Sequence, residues 1–223
     1  MKMRTSLKAI LCVLCLLPFA KEVQAQENYY VEEQRTFYGG IVAGVNFTQI
    51  DGDDFKGYDK IGANFGGKVY AQLDAHLAAS MEILYSQKGS RSIHPQEAEP
   101  GVVITDYRVD LNYAEVPILL NYFDKRKSHF GGGFSYSQLA GSAERITTTP
   151  ASATSGINFE NYPFKKVDIN IVLAGDLHLY KGLFLDVRFQ YSLFPIRTSV
   201  PTKFSRGEQF SNMWVVRLMY LFK

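Results

Sequence analysis

Cysteine stops at residue 15. Both cysteines, Cys12 and Cys15, lie within the first 25 of 223 residues, so the rest of the chain has no disulfide and no thiolate chemistry. No later stretch reaches 18 consecutive apolar residues, which excludes a transmembrane helix. Histidine is scarce, at four, and tryptophan occurs once. Neither charge sign dominates: 24 Lys and Arg stand against 22 Asp and Glu. That balance argues against a nucleic-acid partner, which calls for a basic surface. Mean hydropathy is −0.11. A water-soluble domain has such a value, and so does a membrane β-barrel, whose lumen and loops are polar.

What is present begins with an export signal. Lys2, Arg4 and Lys8 precede an apolar stretch, Ala9 to Ala20, that is too short to span a bilayer. Val23-Gln24-Ala25 puts small residues where a signal peptidase needs them, so cleavage is expected after Ala25. Losing Lys2, Arg4, Lys8, Lys21 and Glu22 would leave 20 basic and 21 acidic residues. The expected organisation is a signal peptide over 1–25, a short periplasmic segment over 26–35 and one β-barrel domain over 36–223.

"GANFGGKV", Gly62 to Val69, nearly spells a phosphate-binding loop, but Val69 stands where a hydroxyl should hold Mg²⁺. The wider stretch Lys60–Asp74 decides the reading. Ile61, Ala63, Phe65, Gly67, Val69, Ala71 and Leu73 alternate with Lys60, Gly62, Asn64, Gly66, Lys68, Tyr70, Gln72 and Asp74. A strand sends alternate side chains to opposite faces, so this is an apolar face backed by a polar one. The period recurs over Phe37–Gln49, Leu77–Ser90, Tyr113–Phe123, His129–Ser142, Val167–Tyr180, Leu183–Phe194 and Trp214–Phe222. In Tyr113–Phe123 the alternation holds only from Ala114; above it the parity is wrong, which suggests a bulge or a strand leaving the membrane.

Eight strands result, and their connections alternate in length. "DAH", "DKRKS" and "YKG" are tight; "DGDDFKGYD", "SIHPQEAEPGVVITD", "TTTPASATSGINFENYPF" and "TSVPTKFSRGEQFSN" are long. Even strand number with alternating turns and loops is the pattern of an outer-membrane barrel whose turns are periplasmic. A lipocalin-like barrel would need charges outside, whereas here the less apolar face carries them. The fold class is therefore all-β, an eight-stranded antiparallel up-and-down transmembrane β-barrel with a cleaved N-terminal signal peptide.

The inward face collects Lys60, Lys68, Asp74, Glu82, Lys88, Glu115, Asp168, Asp176, Asp186, Arg188 and Arg217. Paired carboxylates can mean acid–base catalysis. A barrel this narrow is filled by side chains, and buried charges must pair, so a structural charge network over Lys68, Glu82, Glu115, Asp168, Asp176, Asp186, Arg188 and Arg217 is the expectation. Reading Asp74-Ala75-His76 as a three-residue turn, with His76 left-handed, sets Lys68 opposite Glu82 and predicts that swapping the two charges restores folding. Gly62, Gly66 and Gly67 are read as relieving crowding in that strand. Ser128 beside His129 has no clear acid in register, so no catalytic residue is assigned. Asp51–Asp54 resembles a Ca²⁺ loop, but Phe55 occupies a ligand position; no metal or cofactor is expected. Tyr38, Tyr122, Phe130, Tyr180, Phe184 and Tyr220 at one end, and Phe47, Tyr85, Tyr136, Tyr191 and Trp214 at the other, are read as interfacial girdles.

Two segments, "MEILYSQKGS" (81–90) and "LNYAEVPILLNYF" (111–123), closely resemble signatures of the PorT-like outer-membrane β-barrel family of Gram-negative bacteria. Glu82, Tyr85, Gln87, Lys88 and Gly89 match the first, and Tyr113, Glu115, Pro117 and Leu119 the second. The resemblance covers roughly residues 37–223 and implies a barrel in the cell outer membrane. For PorT itself it implies type IX secretion and gliding, although no segment here marks that member. The reading of function is a non-porin scaffold that acts through its external loops or wall and is not an enzyme. An accessory part of a secretion apparatus and a lipid-modifying enzyme are the alternatives. Outer-membrane lipid and lipopolysaccharide, and an outer-membrane or periplasmic protein, are the expected partners.

Overall fold

Alternation of apolar and polar residues over 15 positions of Lys60–Asp74 has one stable outcome, a strand with two chemically different faces, and the whole chain repeats it. A computed structural model describes residues 36–53, 57–92, 95–150, 161–198 and 205–222. The expected signal peptide and periplasmic segment, and Asp54 of the acidic loop, lie outside the described residues. The strands are β1 (Phe37–Asp53), β2 (Lys60–Asp74), β3 (Leu77–Ser92), β4 (Gln96–Glu99), β5 (Val102–Phe123), β6 (His129–Thr149), β7 (Val167–Tyr180), β8 (Leu183–Ser192) and β9 (Ser205–Leu221). Neighbours pair antiparallel in the order β3-β2-β1-β9-β8-β7-β6-β5-β4, and a β3–β5 pairing closes the ring. Eight strands form the wall. The short β4 pairs only with β5, at Gln96↔Ile104 and Glu97↔Val103.

Outside the ring stand more than two dozen large apolar side chains, among them Phe37, Phe65, Ile83, Ile118, Phe130, Leu173 and Leu218, each at least half exposed. Inside, Lys68, Lys88, Arg188 and Arg217 are at most 1% exposed. A contiguous apolar belt of this extent is far larger than the patches that water-soluble domains expose. The surface fits hydrocarbon. On β5 the apolar outward run covers Ala114–Phe123, ten residues, and a membrane-crossing strand takes about 9–11. Among the described residues no helix is long and apolar enough to cross a membrane, so strands make the crossing.

The register over β2 and β3 sets Lys68 opposite Glu82, Val69 opposite Met81 and Ala71 opposite Ala79. The turn differs from the three-residue reading. It closes on Ala75 and His76, and Leu73 is an extra residue between the Gln72↔Ala78 and Asp74↔Leu77 pairs. A two-residue turn plus a one-residue bulge gives the same offset, so the faces are kept. His76 is not left-handed; among the described non-glycine residues only Lys127 and Lys181, in the other two tight turns, have positive φ. Asp74, expected inside, is exposed at this turn. "SIHPQEAEPGVVITD" is not a plain loop: it holds β4 and the start of a 22-residue β5. β6 likewise runs on to Thr149, its end rich in the β-branched residues that favour strands.

Glycine lets two strands close up at one point. A Cβ on Gly66 would collide with the Ile83 carbonyl oxygen, and one on Gly62 with that of Gln87. Gly67 is different: its Cβ would meet nothing nearer than the Gly40 carbonyl at 3.9 Å, so it relieves no crowding. Gly66→Ala should therefore abolish the folded, heat-modifiable form on unboiled gels, and Gly67→Ala should migrate like the parent. Equal behaviour of the two variants would overturn this packing.

Candidate functional site

Hydrocarbon outside leaves the charged residues one place to go. All eight residues of the expected network, Lys68, Glu82, Glu115, Asp168, Asp176, Asp186, Arg188 and Arg217, point inward and are at most 2% exposed. They form two groups at different heights.

The lower group joins three cations to three carboxylates. Glu82 is its hub: Arg188 donates to it with Nη2 at 2.9 Å and Nη1 at 3.2 Å, and Arg217 Nη2 donates at 2.8 Å. Asp186 accepts from Arg188 Nε at 3.0 Å and Nη2 at 2.7 Å, and from Arg217 Nη2 at 3.0 Å. Arg217 also donates to Asn64 Oδ1 at 3.0 Å. Lys68 Nζ lies 3.3 Å from Glu82, 3.7 Å from Asp176 and 3.9 Å from Asp186. It makes no hydrogen bond of good geometry, so charge holds it, together with the Tyr70 ring 4.6 Å away.

The upper group centres on Lys88, which donates to Ser137 Oγ at 3.2 Å and Asp168 Oδ2 at 3.3 Å and sits 3.7 Å from Glu115. Ser135 donates to Glu115 at 2.6 Å, and Ser192 to Asp168 at 2.8 Å. Lys60 sits higher, against Asp110. Lys88 and Glu115 belong to the two segments that carry the family resemblance, so those motifs meet in one contact inside the wall. Gly89 beside them has φ of 140°, and a Cβ there would strike the Val109 carbonyl.

Aromatic rings floor this interior. His129 stacks on Phe123 at 4.2 Å, and Tyr70 stacks on Tyr38 at 5.0 Å. Phe184 lies edge-on to His129 at 5.8 Å. Tyr38 and Phe184, read as girdle residues, thus belong to the floor; Tyr122, Phe130, Tyr180 and Tyr220 face outward and are exposed. An apolar ceiling closes the other end: Ile50, Ile104, Tyr107, Val109, Leu111, Tyr113, Phe164 and Ile196 form one buried cluster. Across it Arg197 Nη1 and the Tyr107 hydroxyl both donate to Glu144 at 2.9 Å, and Arg197 lies 4.5 Å over the Phe164 ring. The sequence reading missed this ceiling. Its signal was the reversed parity above Ala114: Tyr107, Val109, Leu111 and Tyr113 face inward in an unbroken alternation. The backbone irregularity at that height sits on β6, where Ala140 is the extra residue between Tyr113↔Leu139 and Asn112↔Gly141.

His129 does have an acid in register. Asp176 pairs with it across β6 and β7, with His129 Nε2 3.1 Å from Asp176 Oδ2 and 2.7 Å from the Tyr70 hydroxyl. Ser128 does not join them; its hydroxyl accepts the His178 N–H at 3.2 Å. Asp51 accepts from Gln49 at 2.5 Å and Asn212 at 3.2 Å. Among the described residues no three His, Cys, Asp or Glu side chains gather to hold a metal ion.

Residues 24–197 match the family model described as outer membrane protein beta-barrel domain. No curated protein matches the chain. Among solved structures, Ail, the attachment invasion locus protein of Yersinia pestis, is 13% identical, with 84% of this chain and 100% of that one covered and a TM-score of 0.45. OprG from Pseudomonas aeruginosa is 11% identical over 83% of this chain and 94% of that one, with a TM-score of 0.43. Neisserial surface protein A is 11% identical over 84% and 98%, with a TM-score of 0.42.

The contacts of Glu82 change the outcome of a charge swap. With both residues exchanged, the new lysine at 82 would face Arg188 and Arg217, and the new glutamate at 68 would face Asp176 and Asp186. The double variant should fold no better than the worse single, contrary to the expectation from strand register alone. Lys68→Met leaves three carboxylates with two cations and should cost about 3–5 kcal/mol, read by urea unfolding in detergent micelles. Recovery in the double swap would show that Lys68 and Glu82 act as an isolated pair.

Proposed function

Because the chain belongs to the family of outer membrane protein beta-barrel domains, we propose that it serves the cell outer membrane as a non-porin scaffold, acting through its external sheet and wall. The observation that carries this reading is a lumen filled by charge pairs and capped at both ends by apolar and aromatic side chains. A side-chain-filled barrel offers neither a pore nor a ligand cavity. What it offers is outside: β5 and β6 continue above the apolar belt as a paired ribbon from Asn112↔Gly141 to Val103↔Thr149, with β4 on the flank. A rigid ribbon presents side chains at low entropic cost, which suits binding a protein partner.

The alternative of a type IX-like secretion or gliding accessory comes with the PorT resemblance. The matching residues Glu82, Lys88, Glu115 and Tyr113 all pack inside the barrel, so they account for fold rather than for a role in an apparatus. A lipid-modifying activity fares less well. Ser128 is engaged at a backbone N–H, and His129 is enclosed among Tyr70, Phe123 and Asp176. We assign no catalytic residue.

Two measurements test the scaffold. In planar bilayers the purified protein should give no stable porin-like conductance; reproducible large open steps would end the sealed-barrel reading. A photo-crosslinker at Thr147, exposed near the top of β6, should capture a defined protein on intact cells, whereas one at Leu173 in the belt should capture lipid. Protein adducts formed only from the tight turn at Lys125 would favour a periplasmic apparatus instead.

A further inference from the structure

Three arginines share one row on the outer face of the ribbon. Arg91 on β3 stands directly opposite Arg108 on β5, and Arg108 directly opposite Arg145 on β6. All three are exposed, while their neighbours Tyr107 and Val109 point into the ceiling. Strands lie roughly 4.8 Å apart, so the row spans about 10 Å. Like charges directly opposite on a sheet destabilise it, and here there are two such appositions in succession.

The counter-charges do not balance the row. Asp110 accepts from Arg108 Nε at 2.8 Å and Nη2 at 3.2 Å, but it also holds Lys60. Asp106 is exposed on the same face. Four cations, Lys60, Arg91, Arg108 and Arg145, thus meet two carboxylates, Asp106 and Asp110. Among the described residues the side chains of Arg91 and Arg145 have no hydrogen-bond or ion-pair partner.

Height selects the ligand. Arg108 lies six residues beyond Ala114, the last apolar outward residue of β5. At about 3.4 Å per residue and a tilt of about 40°, the row stands on the order of 15 Å above the hydrocarbon edge. Phospholipid headgroups occupy only about 5–8 Å on each side of the bilayer. The first outward row above the hydrocarbon edge is uncharged: Tyr85 donates to Asn112 at 3.1 Å, and Gln87 donates to Tyr85 at 3.0 Å and Asn112 at 3.3 Å. Sugar-hydroxyl partners suit such amides. Planar guanidinium forks suit phosphate oxygens. We propose that Arg91, Arg108 and Arg145 bind the phosphate groups of lipopolysaccharide on the outer wall of the barrel. The site uses the outer-membrane placement and not the protein-partner reading, so the two fail separately.

The test uses the full mature protein refolded in detergent micelles and fluorescent lipopolysaccharide, intact or chemically dephosphorylated. The variant with Arg91, Arg108 and Arg145 all changed to Gln should bind intact lipopolysaccharide at least about tenfold more weakly, and the parent should lose a similar factor on the dephosphorylated form. Asp106→Asn, which removes an opposing carboxylate, should bind more tightly than the parent. If the triple variant fails to show the heat-modifiable form, Asp106→Asn and Arg145→Gln carry the test through their opposite shifts. Without lipopolysaccharide, Arg145→Gln should unfold at no lower a temperature than the parent, because relieving repulsion costs nothing; a role internal to the fold would lower it. Equal binding by parent and triple variant, or by intact and dephosphorylated lipopolysaccharide, would overturn the proposal. Full displacement by millimolar inorganic pyrophosphate would move the assignment to a soluble anion.

Discussion

Charge neutrality inside a hydrocarbon-solvated ring is the constraint on which the rest of this molecule depends. Each ion taken from water costs several kcal/mol even after relaxation, and only opposite charges held at close range repay it. Glu82 on β3, Asp176 on β7, Asp186 and Arg188 on β8, Arg217 on β9 and Lys68 on β2 form a three-against-three set. Its members come from five strands, and the longest link, Arg217 to Glu82, joins the last strand to the third. No hairpin can assemble it alone. The balance therefore exists only once β1 has paired with β9 and the ring is shut, which ties the stability of the core to closure of the wall.

The lids make that network dry as well as neutral. His129, Phe123, Tyr70, Tyr38 and Phe184 below, and the Ile50–Tyr113–Phe164–Ile196 cluster above, leave the ions between two layers that water crosses poorly. In a medium of low dielectric a satisfied pair is stronger and a broken one costlier. That asymmetry produces rigidity, and a rigid barrel is a sound base for a ribbon that must hold its side chains in fixed rows above the membrane. The link from ion pair to external surface runs through the strands themselves, since β5 and β6 supply Glu115 and Ser135 inside and Arg108 and Arg145 outside.

How much of this was legible in the sequence depends on where one solvent dominates. Across the belt, lipid on one face and charges on the other enforce period two, so the parity of Lys60–Asp74 alone places Lys68 inside and Val69 outside. The charged face was readable for the same reason. The partners were less so, because register relates neighbours while Glu82 meets Arg188 and Arg217 across the lumen. Asp176 opposite His129 needed the offset of β6 on β7, and the long connection between those two strands gives little clue to it. The arginine row is invisible in one dimension: Arg91, Arg108 and Arg145 are far apart in sequence, and only the offsets of two pairings bring them level. Arg197 and Phe164 sat in stretches whose composition reads as loop.

The parity that looked wrong above Ala114 marks a change of solvent. Along β5 the inward residues run Asn121, Glu115, then Tyr113, Leu111, Val109 and Tyr107, while the outward ones run Leu120, Ile118, Ala114, then Asn112, Asp110 and Arg108. Inside turns apolar where outside turns polar, and over Tyr107–Phe123 the alternation of the backbone never breaks. β1 does the same, with Phe47 giving way to Gln49 outside as Thr48 gives way to Ile50 inside. β6 follows, with Tyr136 giving way to Gln138 outside as Ser137 gives way to Leu139 inside. A sheet needs one apolar face at every height, and the solvent decides which. In lipid the apolar face must be the outer one; in water it must be the inner one, as in any soluble barrel. The point at which the two faces exchange character, Tyr113–Ala114 on β5 with Leu139 opposite Tyr113 on β6, is therefore where the hydrocarbon ends. The bulge at Ala140 falls at that same boundary, where the ribbon leaves the ring and the sheet is free to bend.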